Sequence, residues 1–311
     1  FVGVDGLGLL MVLLSALVVP MAMLASSKVE EKGTLYFALM LLLQSGLFGA
    51  FTALNFFHWF IFWELSLVPA FFLIKLWGGP ARTHAATQFF VYTMAGSVAL
   101  LLGFLAVAYA TGTFDFIRLA KLAETDGIAT ALGAKLGWRN LAADRLALVI
   151  CIGVFLGFAV KVPLIPFHTW LPLAYAEAPT STTMLLTGVM SKMGVYGFLR
   201  ILLPVFPDQM RMILTPLLWL AVITIVFSAC AAFAQKDLKR MLAYSSINHL
   251  GYCLLGVFAA AKLTGSDPQW ATVSGLCMLG LSDGENSETG FSGIIKPVSS
   301  TVGRLLRLFM P

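Results

Sequence analysis

The sequence predicts an all-α membrane protein, a polytopic transmembrane helix bundle with a broken helix. Three observations carry that prediction. Of the 311 residues, 59% are hydrophobic and 11% charged, where a soluble globular chain carries about 25% charged residues. Apolar runs of about 20 residues, the length that crosses a hydrocarbon core, recur from the first residues to about residue 262. The stretch 158–200, FAVKVPLIPFHTWLPLAYAEAPTSTTMLLTGVMSKMGVYGFLR, sets Pro163, Pro166, Pro172 and Pro179 between Lys161 and Lys192. Each internal proline removes a backbone donor and clashes with the preceding turn. Non-helical backbone at membrane depth is tolerated only when buried in protein or lining a watery cavity. The stretch therefore reads as an interrupted membrane helix, then an intact one with a charge at its middle, and points to an ion or proton path.

The elements follow in order. A first span is expected over about 4–25, with Pro20 near its exit, and the polar loop SSKVEEKG follows. A second is expected over about 34–54 and, after a short turn at Asn55, a third over about 56–76 that holds His58, Glu64, Pro69 and Lys75. WGGPARTHAA separates it from a fourth span over about 87–110. The loop 111–144 contains the amphipathic FDFIRLAKLAE, suited either to lying on the membrane surface or to packing on the bundle. A fifth span begins near Arg145 and breaks near Pro163, with a second piece over about 167–176. The sixth (about 181–203), seventh (about 212–234) and eighth (about 241–261) complete a transmembrane region over 1–262. Residues 263–311 are rich in Gly and Ser, with no run long enough to span, and read as an atypical polar tail, disordered or artefactual. The chain opens at Phe1 with neither Met nor a charged leader, as an internal piece would.

Charge and cysteine usage exclude other classes. The net charge of +5 fits loop Lys and Arg that set topology better than it fits nucleic-acid binding. Lys28, Lys32, Lys75, Arg82, Lys236, Lys239 and Arg240 fall on the side where odd-numbered spans exit, which places QKDLKR in the cytoplasm. Cys151, Cys230, Cys253 and Cys277 are far apart in sequence, with no CxxC, so no iron–sulfur, zinc or disulfide pattern is expected. No phosphate-binding glycine motif or haem motif occurs, and no cofactor is expected in this chain.

The ionisable residues inside apolar sequence are the candidates for function. A bare carboxylate at bilayer depth costs about 2.5–3.5 kcal/mol on insertion scales, so Glu64 needs a partner or must be neutral. Lys161 ends a helical run just before Pro163. Pairing with Glu64 would compensate both charges, while snorkelling to the interface is the structural alternative. Lys192 lies mid-helix in TTMLLTGVMSKMGVYGFLR, near the bilayer centre, with Ser191, Gly188 and Thr187 beside it. Desolvation acts against its charged form, which suits a residue that loads and releases a proton. His168 in the break can relay protons or cap the loop. Tyr244, Ser245, Ser246, Asn248 and His249 make a polar half-helix that suits a hydrated path or helix–helix hydrogen bonding.

Four motifs occurring in order, FWELSLVPAFFLI, KVPLIPFHTWLPLAYAEAPT, LLTGVMSKMGVYGFLR and QKDLKRMLAYSSINHLGY, resemble the antiporter-like proton-translocating subunits of respiratory NADH–quinone oxidoreductase (complex I), of the chain M or mitochondrial chain 4 type. Mrp-type sodium/proton antiporter subunits are more distant relatives. The resemblance covers about 4–262 and implies part of an inverted-repeat antiporter-like fold in which each repeat has a broken helix. By motif, Glu64 corresponds to the glutamate of the family's fifth helix and Lys161 to its partner beside the seventh-helix break. Lys192 corresponds to the central lysine of the eighth helix. His249 and its polar neighbours match the connection toward a second half-channel. The resemblance implies a membrane-arm subunit that couples electron transfer to proton pumping, with no redox centre of its own. Its expected partners are the other membrane-arm subunits, the lipid bilayer and protons, in a bacterial inner membrane or an equivalent energy-transducing membrane. An Mrp-type antiporter subunit and a truncated, non-transporting fragment are the alternatives. The charged residue of the family's twelfth helix has no counterpart here, and the tail does not follow the family.

Overall fold

The computed structural model describes residues 2–27, 29, 31–137 and 142–263. Beyond Leu263, the tail expected over 263–311 lies outside the described residues, as do Lys28 and Cys277. The helices are α1 (Gly6–Ala25), α2 (Gly33–Thr52), α3 (Phe56–Trp77), α4 (Arg82–Thr111), α5 (Phe116–Ala123), α6 (Gly127–Leu136), α7 (Ala143–Lys161), α8 (Trp170–Glu177), α9 (Thr180–Val205), α10 (Pro207–Met212), α11 (Leu214–Phe233) and α12 (Leu238–Leu263). Seven of them, α1, α2, α3, α4, α7, α9 and α11, are long and apolar enough to cross a membrane. The eighth expected span, α12, has 26 residues, but its Tyr244–His249 run makes its first half polar. The chain is an all-α, multi-pass membrane bundle with a broken helix, α7–α8.

Local sequence explains the element ends. Asp5 accepts the Gly8 N–H at 2.7 Å and starts α1, and Asn55 starts α3 by accepting from Phe57 N at 2.9 Å. Asp115 accepts from both Ile117 and Arg118 and starts α5. Such side-chain acceptors satisfy donors that a helix N-terminus leaves open. α4 begins at Arg82, ahead of the expected 87, because the Ala81 N–H before it donates to the Glu177 carboxylate at 2.8 Å. That partner lies almost a hundred residues away in sequence. α5 packs on the bundle through Phe116, Leu119 and Ala123. The loop also holds α6, which the sequence reading did not expect; it buries Ile128, Ala129 and Leu132 against α4 and α7.

The outer faces are greasy. Leu9, Leu13, Leu17, Val91, Leu102, Ile223 and Val226 are all exposed, which a soluble protein avoids over so wide an area and lipid accepts. The interior is aromatic, with Trp59, Trp63, Phe104, Phe158 and Phe198 fully buried. With no hydrophobic drive between helices in lipid, small residues that allow close approach decide packing. α2 lies along α3, α4 along α7, and α11 along α12. At the α4–α7 crossing a Cβ on Gly157 would sit 2.8 Å from the Gly96 carbonyl oxygen and 2.6 Å from Leu100 Cβ. Gly157→Val should therefore lower the unfolding midpoint in detergent, with an overpacking cost of about 1–3 kcal/mol. A wild-type melt for this variant would show that the crossing is not tight.

Candidate functional site

The site is built around the break. α7 ends at Lys161, and residues 162–169 run without α-helix to α8. Pro163, where the helix was expected to break, lies two residues beyond that end and is buried. The Ile165–Pro166 peptide is cis. The open ends are tied locally: Trp170 Nε1 donates to Val160 O at 3.0 Å, and Ile165 N donates to Thr224 Oγ1 of α11 at 3.3 Å. Thus the start of the break, residues 162–164, and His168 are buried in protein, while Pro166 and Thr169 are exposed, and the groups that leave the helix are satisfied within the protein, as a membrane setting demands.

Lys161 is 3% exposed, so it does not snorkel. Its ammonium stands 5.0 Å from the Trp63 ring centroid, a cation–π arrangement that strengthens when desolvated. Trp63 in turn donates through Nε1 to Ser97 Oγ at 3.1 Å. Glu64, the next residue on α3, has Ser97 and the Lys161 charge as its electrostatic neighbours. Among the described residues neither carboxylate oxygen has a well-formed hydrogen bond, and the Ser97 side chain is the polar group that acts on the carboxylate. The two charges expected to pair therefore lie within electrostatic reach of each other, with Ser97 acting on Glu64 and the Trp63 ring against Lys161. No direct ion pair forms between them.

Lys192 sits midway along the 26-residue α9. Two π-helical turns, Leu186–Met190 and Phe198–Leu202, interrupt that helix. A π turn displaces backbone groups from their regular partners and is frequent at functional sites. Here the Thr187 carbonyl accepts from the Lys192 ammonium at 2.5 Å and from Ser191 Oγ at 3.0 Å. The lysine is thus held by its own helix. A Cβ on Gly194 would lie 2.4 Å from Val162 Cγ2 and 3.5 Å from Lys161 Cβ, so this glycine lets α9 press against the break. Beside Lys161 lies a void of about 10 Å³ lined also by Tyr175, Ser191 and apolar neighbours, close to the space one water needs; Lys192 itself does not line it, but its neighbour Ser191 does. The buried Tyr175 hydroxyl reaches the side chains of Thr187 and Ser191.

Both ends of α9 are fixed. Tyr36 Oη meets Ser181 Oγ at 2.6 Å, and Arg200 Nε pairs with Asp5 Oδ2 at 3.0 Å. The end of α8 is fixed as well. Gly79 N donates to Glu177 O at 2.8 Å, and Lys239 Nζ donates to Ala178 O at 3.0 Å and to Ala176 O at 3.4 Å.

The remaining expected residues separate. His168 is buried, with its ring centroid 5.3 Å from Phe227 and 6.4 Å from Tyr244, and its Nδ1 has no protein partner. Asn248 does not face the lysines: its Nδ2 donates to Ile225 O of α11 at 2.8 Å, a helix–helix tie. Ser245 is half-buried, while His249 is exposed on the outer face of α12. The structure does not bring His249 to the lysines. Trp63, Ser97 and Tyr175 were missed. Tryptophans in spans pass for interfacial anchors, and Ser97 stands among alanine and glycine in AGSVALL; a lone mid-span serine was the available signal. Replacing Glu64 with Gln or Lys161 with Met should each lower the detergent unfolding midpoint more than the double replacement does. Each single change leaves a buried charge uncompensated, at a cost of about 3–5 kcal/mol. Strictly additive effects would show the two groups to be uncoupled.

Residues 53–267 match the family described as NADH:quinone oxidoreductase/Mrp antiporter, TM. The chain is 39% identical over 262 residues to NADH-quinone oxidoreductase subunit M of Rickettsia conorii, covering 84% of this chain and 50% of that protein. It is 38% identical over 272 residues to subunit M of Escherichia coli, again covering 84% of this chain and 50% of the relative. The chain thus spans about half the length of the curated relatives it matches. Among solved structures it is similar to a chain of respiratory complex I from Thermus thermophilus with bound NADH, with TM-score 0.71 and 29% identity, over 89% of this chain and 54% of that one. It shares its fold with a chain of the Mrp complex from Dietzia sp. DQ12-45-1b at TM-score 0.69 and 22% identity, over 89% of this chain and 48% of that one.

Proposed function

Because the chain belongs to the NADH:quinone oxidoreductase/Mrp antiporter transmembrane family, we propose that it carries one proton-translocating half-path of a membrane-arm subunit of NADH–quinone oxidoreductase, seated in a bacterial inner membrane beside other membrane-arm subunits. The observation that carries this reading is Lys192, held midway along α9 on the Thr187 carbonyl at a π turn, with the adjacent Ser191 lining the same water-sized void as Lys161. The coupled oxidoreductase contributes the redox chemistry, and this chain contributes charge movement.

The steps follow from the positions of the charges. While Glu64 lies near Lys161, its carboxylate compensates the Lys161 ammonium. When a change arriving through the neighbouring subunit draws the pair apart, the Lys161 charge faces the void and Ser191. Like charge and low dielectric together then favour release of the proton from Lys192. Glu64 makes no direct ion pair with Lys161 and has the Ser97 side chain as its polar neighbour, so a small shift of the pair breaks no salt bridge. Trp63 keeps the ammonium in place in both states. Reloading of Lys192 would run through the break, where His168 stands beside Tyr244.

In inside-out vesicles of the source membrane, Lys192→Met in the full-length protein should abolish proton uptake attributable to this subunit. An unchanged proton-to-electron ratio would refute the reading. An antiporter subunit without redox coupling is the second reading, since the matched family spans both kinds. That reading requires sodium/proton exchange in the absence of NADH, and the identity to subunit M of oxidoreductases (39% and 38%) favours the first. Reporter fusions at Gln235–Arg240 should report the cytoplasm, because Lys236, Lys239 and Arg240 sit in a short loop; an external signal would invert the orientation.

A further inference from the structure

We propose that Lys239 is a positioning residue for proton translocation, because it closes the end of the half-helix α8 and so fixes the break beside both interior lysines. The proposal rests on the reading above and adds to it a residue that sequence alone assigns to topology.

A helix end leaves its last four carbonyls without intrahelical partners, and where the end is buried, as at Ala178, those carbonyls need partners from elsewhere in the protein. At the end of α8 every one is accounted for. Tyr175 O accepts from Thr183 Oγ1 at 3.2 Å, and Glu177 O accepts from Gly79 N at 2.8 Å. Ala176 O and Ala178 O accept from Lys239 Nζ at 3.4 and 3.0 Å; Ala178 also takes a 3.4 Å bond from Thr183. Among the described residues Lys239 is the side chain that donates to Ala176 O. Ala178 is fully buried, and a cation is the favoured occupant of a helix C-terminus. Its neighbours behave differently: Lys236 and Arg240 are exposed, and Lys239 is the half-buried cation of the loop. The bond spans more than sixty residues and joins the first turn of α12 to the half-helix that carries Tyr175. Tyr175 lies against Ser191 and Thr187, and Thr187 holds Lys192. Releasing Lys239 leaves Ala176 O without its side-chain donor and loosens the α8 end, which carries the Tyr175 wall of the void beside Lys161.

The test separates this contact from loop charge. In the full-length protein in native membranes, Lys239→Met, which has no donor, combined with Leu238→Arg keeps the local charge, Leu238 being 64% exposed. This pair should lower the proton uptake attributable to this subunit on the order of tenfold, as displacement of a positioned group does, and speed amide hydrogen exchange over 170–178. Lys239→Arg, which still donates to carbonyls, should retain both properties. Wild-type uptake and exchange in the double variant, in membranes where Lys192→Met abolishes uptake, would overturn the proposal. If Lys192→Met leaves uptake intact, the earlier reading falls, and exchange over 170–178 decides the contact alone: faster exchange supports it and unchanged exchange overturns it.

Discussion

A broken helix must find donors for its last carbonyls, and the architecture follows from how α8 finds them. The donors come from three directions: Gly79 in the α3–α4 turn, Thr183 at the start of α9 and Lys239 at the start of α12. Those are the helices, or the immediate neighbours of the helices, that carry Glu64, Lys192 and the polar run of α12. The break is therefore a junction, and each helix bearing a functional candidate is tied to it at one end. The Glu177 side chain extends the junction by accepting from Ala81 N, which sets where α4 begins and hence where Ser97 stands.

The interior charges obey a second constraint. A tight buried ion pair would be stable and inert, since separating it leaves two uncompensated charges. Here the compensation is divided. Lys161 has the Trp63 face, Glu64 has Ser97 and the field of Lys161, and Trp63 and Ser97 are bonded to each other. This division lowers the cost of moving either charge by a small distance. It also explains why a tryptophan stands next to the glutamate: its ring shields the cation while its N–H holds the serine.

Much of this was legible in the sequence, and what was not has a common cause. Span positions, the break near Pro163 and the mid-membrane place of Lys192 follow from local rules of length, proline chemistry and apolar runs. The misses are all partners supplied from far along the chain. α4 starts early because of Glu177, α6 forms because α4 and α7 cover it, and Lys239 looks like a topology charge until its carbonyls are seen. Asn248 fits the helix–helix alternative rather than a path because Ile225 O, on another helix, is within reach. His249 carries a motif that suggests a role, yet its side of α12 faces outward. Periodicity alone could have placed it one face away from Asn248 only if the contact face of α12 were known.

Lys161 is buried and Lys192 half-buried, and their backbones give them different work. Lys161 closes a helix whose C-terminal continuation is locked by Trp170 and Thr224, so its ammonium has a fixed origin and can act on a neighbour by field. Lys192 follows a π turn, where one backbone carbonyl serves two side-chain donors. A carbonyl is a neutral acceptor: it holds the ammonium when charged and loses little when the proton leaves, whereas a carboxylate there would pin the charge. A proton carrier needs that kind of partner, and a field source needs the rigid one. The order along 158–200, a stop, a water-sized void and then a π turn, supplies both within one continuous stretch of chain.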